Sequence, residues 1–230
     1  MIGIIGAMAS EVDGLKAIME NKTIETVSSV EFCSGTINGT DVVVAEAGVG
    51  KVNAAVTAQT MILKYNTDMV INIGVAGGLE PSLSVGDVVV ADRVAEHDMD
   101  TTPLGDEPGF ITGINRVYME CDAEITDVLL RCAELCRIFT ICGTIVSGDQ
   151  FICRDDQREK LTGVFNAAAA EMEGAAIGHV CAMNNVRFGV LRAISDGANS
   201  DSEMDFPTFC KMAAENSIEI IKSFLREIEL

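Results

Sequence analysis

The sequence predicts a three-layer α/β/α fold with a central mixed, mostly parallel sheet. Short apolar runs alternate with segments of helical periodicity along all 230 residues. The runs lack the polar alternation of a half-exposed strand, which indicates strands buried on both faces. Hydrophobic residues make up 48% of the chain, enough for a large core. No linker, low-complexity tract or internal repeat is present, so we expect a single domain over residues 1–230.

The amino-terminal part predicts a strand, a helix and a hairpin. Met1–Ala7 is a short apolar run typical of a buried strand, and Ser10 is a residue type that caps helices. Apolar residues then recur on one helical face: Val12, Leu15, Ile18 and Met19. Val30–Ile37 and Asp41–Ala47 flank Asn38-Gly39, a dipeptide that favours a two-residue hairpin turn.

The rest of the chain continues the alternation. Apolar runs predict four more strands, at Met69–Ile73, Asp87–Ala91, Ile141–Ser147 and Arg187–Ile194. Helical spacing predicts helices at Lys51–Tyr65, Asp122–Arg137, Asp155–Val164 and Ala170–Met183, and a last helix capped by Asp205 with Pro207 in its first turn. Ala170–Met183 is apolar nearly all round and should be buried. His97–Met119 is rich in Pro and Gly, typical of a lid or an interface loop.

Composition excludes several classes of partner. Sixteen Lys and Arg stand against 35 Asp and Glu, a net charge of −19, without a basic run. Such a chain is unsuited to nucleic acid or an anionic membrane. No uninterrupted apolar run approaches the length of a membrane span, and the amino terminus lacks a basic signal-peptide region. Eight cysteines include no Cys-x-x-Cys pair, so we expect free thiols in a cytoplasmic protein without a metal or cofactor.

Three common catalytic motifs are absent. The P-loop pattern fails at Gly50-Lys51, because Val52 stands where a Ser or Thr is needed. A dinucleotide fingerprint fails because Asn53 stands where its last glycine is needed, and no Gly-x-Ser-x-Gly occurs. His97 and His179 have neither metal nor triad spacing, and His179 is better explained as a satisfied, semi-buried histidine.

The predicted strands end in unusual sequences, where ligands bind in α/β sheets. These are Gly6–Glu11, Gly74–Gly78, Ser147–Phe151 and Ser195–Gly197. Three carboxylates lie at or near such ends. Glu11 taken alone fits a helix amino terminus, and Asp196 taken alone fits a turn. Glu173, beside Met172 and Glu171, lies in an otherwise apolar helix, where a solvated face is a poor explanation. Together the three fit an acid–base site better.

A family resemblance rests on eight segments in order: GIIGAMASEV, GVGKVNAA, INIGVAGGL, VGDVVVAD, HDMD, VSGDQFI, EMEGAAIGHVC and RAISDGA. They resemble the 5′-methylthioadenosine/S-adenosylhomocysteine nucleosidases of the purine nucleoside phosphorylase superfamily, over residues 2 to about 210. EMEGAAI followed by RAISD is specific to the superfamily. GAM-x-x-E joined to SGDQFI is typical of its hydrolase branch. The resemblance implies a nucleoside phosphorylase-like fold.

The resemblance also implies a reaction. Its members cleave the N-glycosidic bond of adenosine derivatives with water, giving adenine and a 5-substituted ribose. Glu11 matches the base that activates water, and Asp196 matches the donor of a proton to adenine N7. The implied substrates are 5′-methylthioadenosine and S-adenosylhomocysteine, with 5′-deoxyadenosine.

The resemblance further implies substrate contacts. Glu173 matches the acceptor of the ribose hydroxyls with Met172 under the sugar, Phe151 the purine-stacking residue and Ile152 the source of backbone bonds to adenine. Three further groups match the family's site: Val75, Ala76 and Gly77 in the glycine turn beside the nucleoside, Arg192 and Ser195 near the water and the catalytic acid, and Met8, Val49 and Phe206 in an apolar wall around the 5′ group. Glu171 is also expected to contact the substrate. A homodimer is implied, with His97–Met119 reaching the neighbour's site.

Two departures from the family's sequence pattern and two alternative functions remain open. Val75 replaces the Ser or Thr of many relatives, and Thr101–Gly113 lacks the aromatic residues that some relatives carry, so the preferred 5′ substituent stays open. A phosphorylase would need a cation for phosphate, whereas Glu11 would repel it by about 4 kcal/mol per charge pair at 4 Å. A non-catalytic nucleoside-binding protein would need neither Glu11 nor Asp196.

Overall fold

The computed structural model describes residues 1–196 and 206–228, with only the helical backbone given for residues 206–213. The strands of this part are β1 (Ile2–Gly6), β2 (Glu20–Val27), β3 (Val30–Ile37), β4 (Thr40–Glu46), β5 (Met69–Gly78), β6 (Val88–Glu96), β7 (Tyr118–Glu120), β8 (Thr140–Ser147), β9 (Ala167–Glu171) and β10 (Arg187–Asp196). The helices are α1 (Ala9–Ile18), α2 (Lys51–Tyr65), α3 (Ala123–Leu135), α4 (Asp155–Phe165), α5 (Gly174–Asn184) and α6 (Phe206–Glu227), with a short 3₁₀ helix at Thr102–Leu104.

The strands form a mixed sheet that partly closes on itself. Strand β5 pairs with β1, β9 and β10, and the circuit β5–β10–β6–β8–β9 returns to β5. Strands β4, β3 and β2 extend the sheet beyond β1. The predicted mixed sheet is confirmed, although five of the ten pairings in the described part are antiparallel. The closure brings the carboxyl ends of β5 and β9 together, with Gly77 opposite Ala170.

Helices cover both faces of the sheet, as predicted. One core contains α1, α3 and α6 residues such as Leu15, Leu129 and Phe224. The other contains residues of α2 and α5, among them Met61 and Ile177. Each core removes apolar side chains from water, which stabilises the fold by about 25 cal/mol for each Å² buried.

Local signals explain the hairpin but not the start of α1. Asn38 and Gly39 adopt φ angles of 51° and 82°, as a type I′ turn requires, and the predicted hairpin is confirmed. The expected cap at Ser10 is wrong, because α1 begins at Ala9. The Glu11 carboxylate accepts the backbone N–H of Ala7 and Met8 and thereby satisfies the helix end from within.

The predicted helix at Ala170–Met183 is the main error. Residues Ala167–Glu171 form strand β9, and helix α5 begins only at Gly174. A wholly apolar stretch carries no periodicity to separate strand from helix. Pairing of β9 with both β8 and β5 then overrides the helical preference of alanine.

Two other strands extend further towards the carboxyl terminus than predicted. Strand β5 continues through the glycine cluster to Gly78, and β6 continues to Glu96. Strand β2 was not predicted, because it is exposed and polar. Within the segment 97–119, only the 3₁₀ helix, the Ile111–Arg116 bridge and the start of β7 are regular. The expected cap at Asp205 lies outside the described residues, whereas Pro207 lies in the first turn of α6.

The described residues contain neither a helix suited to crossing a membrane nor a disulfide bond. Among residues 1–196 and 206–228, no helix is both long and apolar enough to cross a bilayer. The seven cysteines whose side chains are described are all free thiols.

Candidate active site

A cavity of about 200 Å³ opens where the carboxyl ends of β5, β8, β9 and β10 meet the loop after β1. Its lining includes thirteen of the fifteen residues singled out in the sequence: Met8, Glu11, Val49, Val75, Ala76, Gly77, Phe151, Ile152, Glu171, Met172, Glu173, Ser195 and Asp196. Arg192 lies buried below the lining instead, and the side chain of Phe206 lies outside the described part. The lining also includes Ala7, Gln150 and Ala170, which the sequence did not single out.

Glu11 is a buried residue of the cavity lining. It is 2% exposed, and its Oε2 accepts the N–H groups of Ala7 at 2.6 Å and Met8 at 2.9 Å. Its Oε1 accepts the N–H of Val75 at 3.1 Å. Burial raises the pKa of Glu11 against the lowering effects of Arg192 and these backbone donors. Val75 therefore contributes a backbone group whatever its side chain is.

Arg192 is the buried cation beneath the cavity. Its guanidinium donates to the carbonyl of Ile73 at 2.9 Å, to Oδ1 of Asn72 at 2.5 Å and to the carboxylate of Glu171. Burial alone would lower the pKa of Arg192, but the neighbouring carboxylates raise it, so the group stays charged. The positive charge of Arg192 in turn lowers the pKa of Glu11 and of Glu173 and so stabilises their ionised forms.

The carboxylate of Glu171 lines the cavity but is hydrogen-bonded to several groups of the protein. Besides Arg192, its carboxylate accepts the hydroxyl of Ser147 and the N–H groups of Glu173 and Gly174 at the start of α5. These contacts use both of its oxygens at a helix amino terminus, where an anion is favoured. Glu171 also lines the cavity, and its expected contact with the substrate stays a prediction.

Glu173 is the N-cap residue of α5 and faces the cavity. Its Oε1 accepts the N–H of Gly50 at 2.9 Å, and its Oε2 lies 3.5 Å from the guanidinium of Arg192. Burial and the nearby Glu171 carboxylate raise the pKa of Glu173 to about 7, against the lowering effect of Arg192. Its carboxyl group therefore changes protonation near neutral pH.

Asp196 ends strand β10 on another side of the cavity. Its Oδ1 accepts the hydroxyl of Ser195 at 2.9 Å, and its Oδ2 lies 3.4 Å from a guanidinium nitrogen of Arg158 on α4. A Cβ at Gly77 would lie 3.3 Å from Oδ2, so any other residue at position 77 would crowd this oxygen. The position suits a carboxyl group that contacts a ligand.

The mouth of the cavity is apolar and partly exposed. Phe151 and Val49 are 60% and 51% exposed although they line the cavity, and Met172 and Ile152 are half-buried. Aromatic and aliphatic side chains that stay exposed in a cavity offer faces for a planar or thioether-bearing ligand.

Three comparisons with known proteins identify the family of the chain. The family model described as Phosphorylase superfamily matches residues 1–226. The 5′-methylthioadenosine/S-adenosylhomocysteine nucleosidase of Shewanella oneidensis is 40% identical over 229 residues, covering 99% of this chain and 97% of that protein. The chain belongs to this nucleosidase family.

Solved structures support the same assignment. The nucleosidase of Neisseria meningitidis in complex with methylthio-immucillin-A has a TM-score of 0.94 and 33% identity, with 99% of both chains covered. The futalosine hydrolase of Helicobacter pylori has a TM-score of 0.92 and 32% identity, covering 99% of this chain and 97% of that one. The nucleoside phosphorylase-like fold and the nucleosidase class of this enzyme follow from these relationships.

Sequence reasoning missed polar residues that support the site. Asn72 is fully buried in β5 and holds both Arg192 and the carbonyl of Ile5. Its only signal was a polar residue inside the apolar run Met69–Ile73. Lys51, which was considered only as a P-loop lysine, bonds to Glu96 and Asp98. Nδ1 of His179 lies 2.9 Å from Oε1 of Glu96, within hydrogen-bond distance, so the expected satisfied histidine is confirmed.

In the described part of the chain, no group of three or more His, Cys, Asp or Glu side chains is arranged to hold a metal ion.

Proposed function

We propose that this nucleosidase hydrolyses the N-glycosidic bond of 5′-methylthioadenosine and S-adenosylhomocysteine, and also of 5′-deoxyadenosine, to adenine and a 5-substituted ribose. The observation that carries the proposal is that Glu11 and Asp196 line the same cavity. They come from the first turn of α1 and the end of β10 and are 185 positions apart in the sequence. Two carboxyl groups on one cavity supply a base and an acid, the pair that hydrolysis of a glycosidic bond requires.

Glu11 is the proposed base that takes a proton from water as the water attacks C1′. Burial raises its pKa, and a stronger base removes a proton more readily at neutral pH. The backbone donors of Ala7, Met8 and Val75 fix its orientation, and the Arg192 charge keeps its ionised form accessible. These contacts and the raised pKa support Glu11 as the general base.

Asp196 is the proposed acid that protonates N7 of adenine as the bond breaks. Adenine leaves poorly as an anion, and a proton delivered to the ring makes it a neutral leaving group. The Ser195 hydroxyl donates to Oδ1 of Asp196, and the Arg158 guanidinium lies 3.4 Å from Oδ2, the oxygen nearer to Gly77. Phe151 and Ile152 would contact the purine that this acid protonates.

The sugar becomes positively charged as the bond to adenine weakens. Glu173 and Glu11 line the cavity with little exposure, so each stabilises that charge more strongly than it would in water. The proposed contact of Glu173 with the ribose hydroxyls would place this anion beside the reacting carbon. Met8, Val49 and Met172 supply the apolar surface for the 5′ group, with Met172 under the sugar.

A phosphorylase is disfavoured by the charge of the site. Within the described residues, no Lys or Arg lines the cavity, and the nearby Arg192 is buried and bound to Glu171. A phosphate nucleophile would meet four carboxylates, and the Arg158 guanidinium, 3.4 Å from Oδ2 of Asp196, is already paired with one of them. Water requires no such partner.

The deciding experiment measures adenine release in phosphate-free buffer. Four substrates should be compared: 5′-methylthioadenosine, S-adenosylhomocysteine, 5′-deoxyadenosine and aminodeoxyfutalosine. Glu11→Gln and Asp196→Asn should each lower kcat by roughly 10²-fold or more while the substrate still binds. Glu25→Gln, on exposed strand β2, is the matched control. Strict dependence on phosphate would establish the phosphorylase instead, and tight binding without any cleavage would establish a binding protein.

We propose a cytoplasmic homodimer in which the segment 97–119 lies near the neighbour's site. The free thiols of the described residues support a reducing compartment. Exposed apolar side chains support a second copy as the partner: Val52 at 73%, Leu104 at 83% and Phe151 at 60% exposure. Light scattering after size-exclusion chromatography should give twice the mass of 24.4 kDa, and a monomer mass would remove this proposal.

A further inference from the structure

Three residues close a hydrogen-bonded ring beside the cavity. The backbone N–H of Lys51 donates to Oδ1 of Asp149 at 2.8 Å, and the backbone N–H of Asp149 donates to Oδ2 of Asp98 at 2.9 Å. The Nζ of Lys51 donates to Oδ1 of Asp98 at 2.6 Å and completes the ring. We name Lys51, Asp98 and Asp149 the Lys51 clasp. It joins the start of α2, the residues after β6 and the loop after β8.

The clasp is attached to rigid elements. The Nζ of Lys51 also donates to Oε2 of Glu96, the last residue of β6, at 2.9 Å. The other oxygen of Glu96 lies 2.9 Å from Nδ1 of His179 on α5. The side chains of Lys51, Glu96 and Asp98 are only 18%, 11% and 15% exposed, so solvent screens these ion pairs weakly.

Lys51 is charged in this setting. Burial by itself would lower its pKa, but the hydrogen bonds with Asp98 and Glu96 outweigh burial and raise the pKa above its ordinary value. Loss of the ammonium would leave two neighbouring carboxylates to repel each other. The geometry of the clasp therefore depends on this cation.

The clasp lies next to two parts of the cavity. Asp149 precedes Gln150, Phe151 and Ile152, all of which line the cavity. On the other side, the N–H of Gly50 binds Glu173. Gly50 has a φ of +100°, and a Cβ there would lie 3.0 Å from Oδ1 of Asp149. The turn at Gly50 and the loop at Asp149 are thus packed against each other.

From this arrangement we infer that Lys51 is a positioning residue that fixes the purine-contacting loop through Asp98 and Asp149. The inference rests on the proposed function, in which Phe151 and Ile152 contact adenine. Lys51 does not line the cavity, so it acts on the purine only through the loop. Ordering the loop before the ligand arrives removes an entropic cost of binding, which is how a distant residue strengthens affinity.

The test compares Lys51→Met with the wild type. Calorimetry should show adenine bound about 10-fold or more weakly, because the variant must order the loop on binding. The KM for 5′-methylthioadenosine should rise by a similar factor, while kcat should change by less than about 3-fold, since uniform binding is what is lost. Lys51→Arg should return both values to within about 3-fold of the wild type, because its fork reaches both carboxylates.

Two further variants keep the test decisive. Lys64→Met, near the other end of α2 and paired with exposed Glu25, should leave adenine affinity unchanged. Asp149→Ala removes one acceptor from an exposed residue and should weaken adenine binding even if Lys51→Met fails to fold. Wild-type adenine affinity in either clasp variant would overturn the inference. Adenine binding without cleavage by the wild type would remove the proposed function alone, and no adenine binding at all would overturn both.

Discussion

The guanidinium of Arg192 lies 3.5 Å from Oε2 of Glu173, but its closer carboxylate contact is with Glu171. One buried cation therefore serves three acids, because Glu11 also lies within its field. Burial raises the pKa of both Glu11 and Glu173, and for Glu173 the charges of Glu171 and Glu11 raise it further. Glu173 therefore changes protonation near neutral pH, and its ionised form is the one that stabilises a cation.

The first prediction concerns the pH dependence of turnover. The pKa of Glu173 is raised to about 7, so the free enzyme carries a protonated Glu173 below that pH. A neutral carboxyl group stabilises a positively charged ribose less, so kcat/KM should fall below pH 7, approaching about 10-fold per pH unit. Glu11 must also be ionised to act as a base and contributes to the same acid limb. Adenine release should be followed from pH 5 to 9.

Glu173→Gln provides the matched comparison for that profile. The substitution removes the group whose pKa is raised to about 7. The acid limb that Glu173 sets near pH 7 should therefore be lost, with a reduced maximum, while Glu11, whose pKa is raised by burial, still contributes its own limb. An acid limb that stays in place in Glu173→Gln would assign it to a different group.

The second prediction concerns stability. A carboxyl group whose pKa is higher in the folded chain binds its proton more tightly there, so stability falls as pH rises from about 4.5 to about 7. The ionised form of Glu173 lowers the free energy of unfolding by up to about 3 kcal/mol above pH 7. Glu173→Gln keeps an acceptor for the Gly50 N–H but removes this penalty. The variant should be more stable than the wild type at pH 8 and equal to it near pH 4.5.

Denaturant unfolding at both pH values, at one protein concentration, measures this difference. Glu134→Gln, exposed on α3, is the control for the loss of one surface charge. A Glu173→Gln difference of the same size at pH 4.5 and pH 8 would contradict the linkage. A stabilised but less active variant would show that the site retains its charge for function at the expense of stability.

The sequence carried enough signal for the layers of the fold and most of the cavity lining. Buried strands are recognised in the sequence as apolar runs. Glu11 and Asp196 are conspicuous there because each follows such a run. The carboxyl ends of parallel strands meet at one edge, so position in the chain is sufficient to bring these residues together. Their catalytic roles remain proposals that rest on family resemblance and on the shared cavity.

Other features depend on contacts that no local pattern records. Strand β9 is a run of alanines whose strand state is set by pairing with β5 and β8. Strand β2 is polar and exposed, so it has no apolar alternation to reveal it. The Lys51 clasp joins residues up to 98 positions apart, and its lysine lies in a motif that failed as a P-loop. Long-range pairing, rather than propensity, decides each of these cases.

The third prediction concerns Gly74, which lies in β5 between Arg192 and Glu11. A Cβ at this position would collide with the guanidinium of Arg192 and lie 2.6 Å from Oε1 of Glu11, closer than real contacts allow. Arg192 is fully buried and held by Asn72 and Glu171, so it has no room to withdraw. Gly74→Ala should therefore displace Glu11, lower kcat/KM by about 10-fold or more and destabilise the chain by about 1–3 kcal/mol.

Gly163→Ala is the control for this substitution. Gly163 lies in α4 and a Cβ there meets nothing within 4 Å, so alanine should stabilise the helix by about 0.5–1 kcal/mol without changing activity. Both variants should be compared by thermal unfolding and by adenine release under identical conditions. Wild-type turnover in Gly74→Ala would show that the Glu11 carboxylate tolerates displacement. It would then argue against Glu11 as the base, because a base must stay within hydrogen-bond reach of the water it activates.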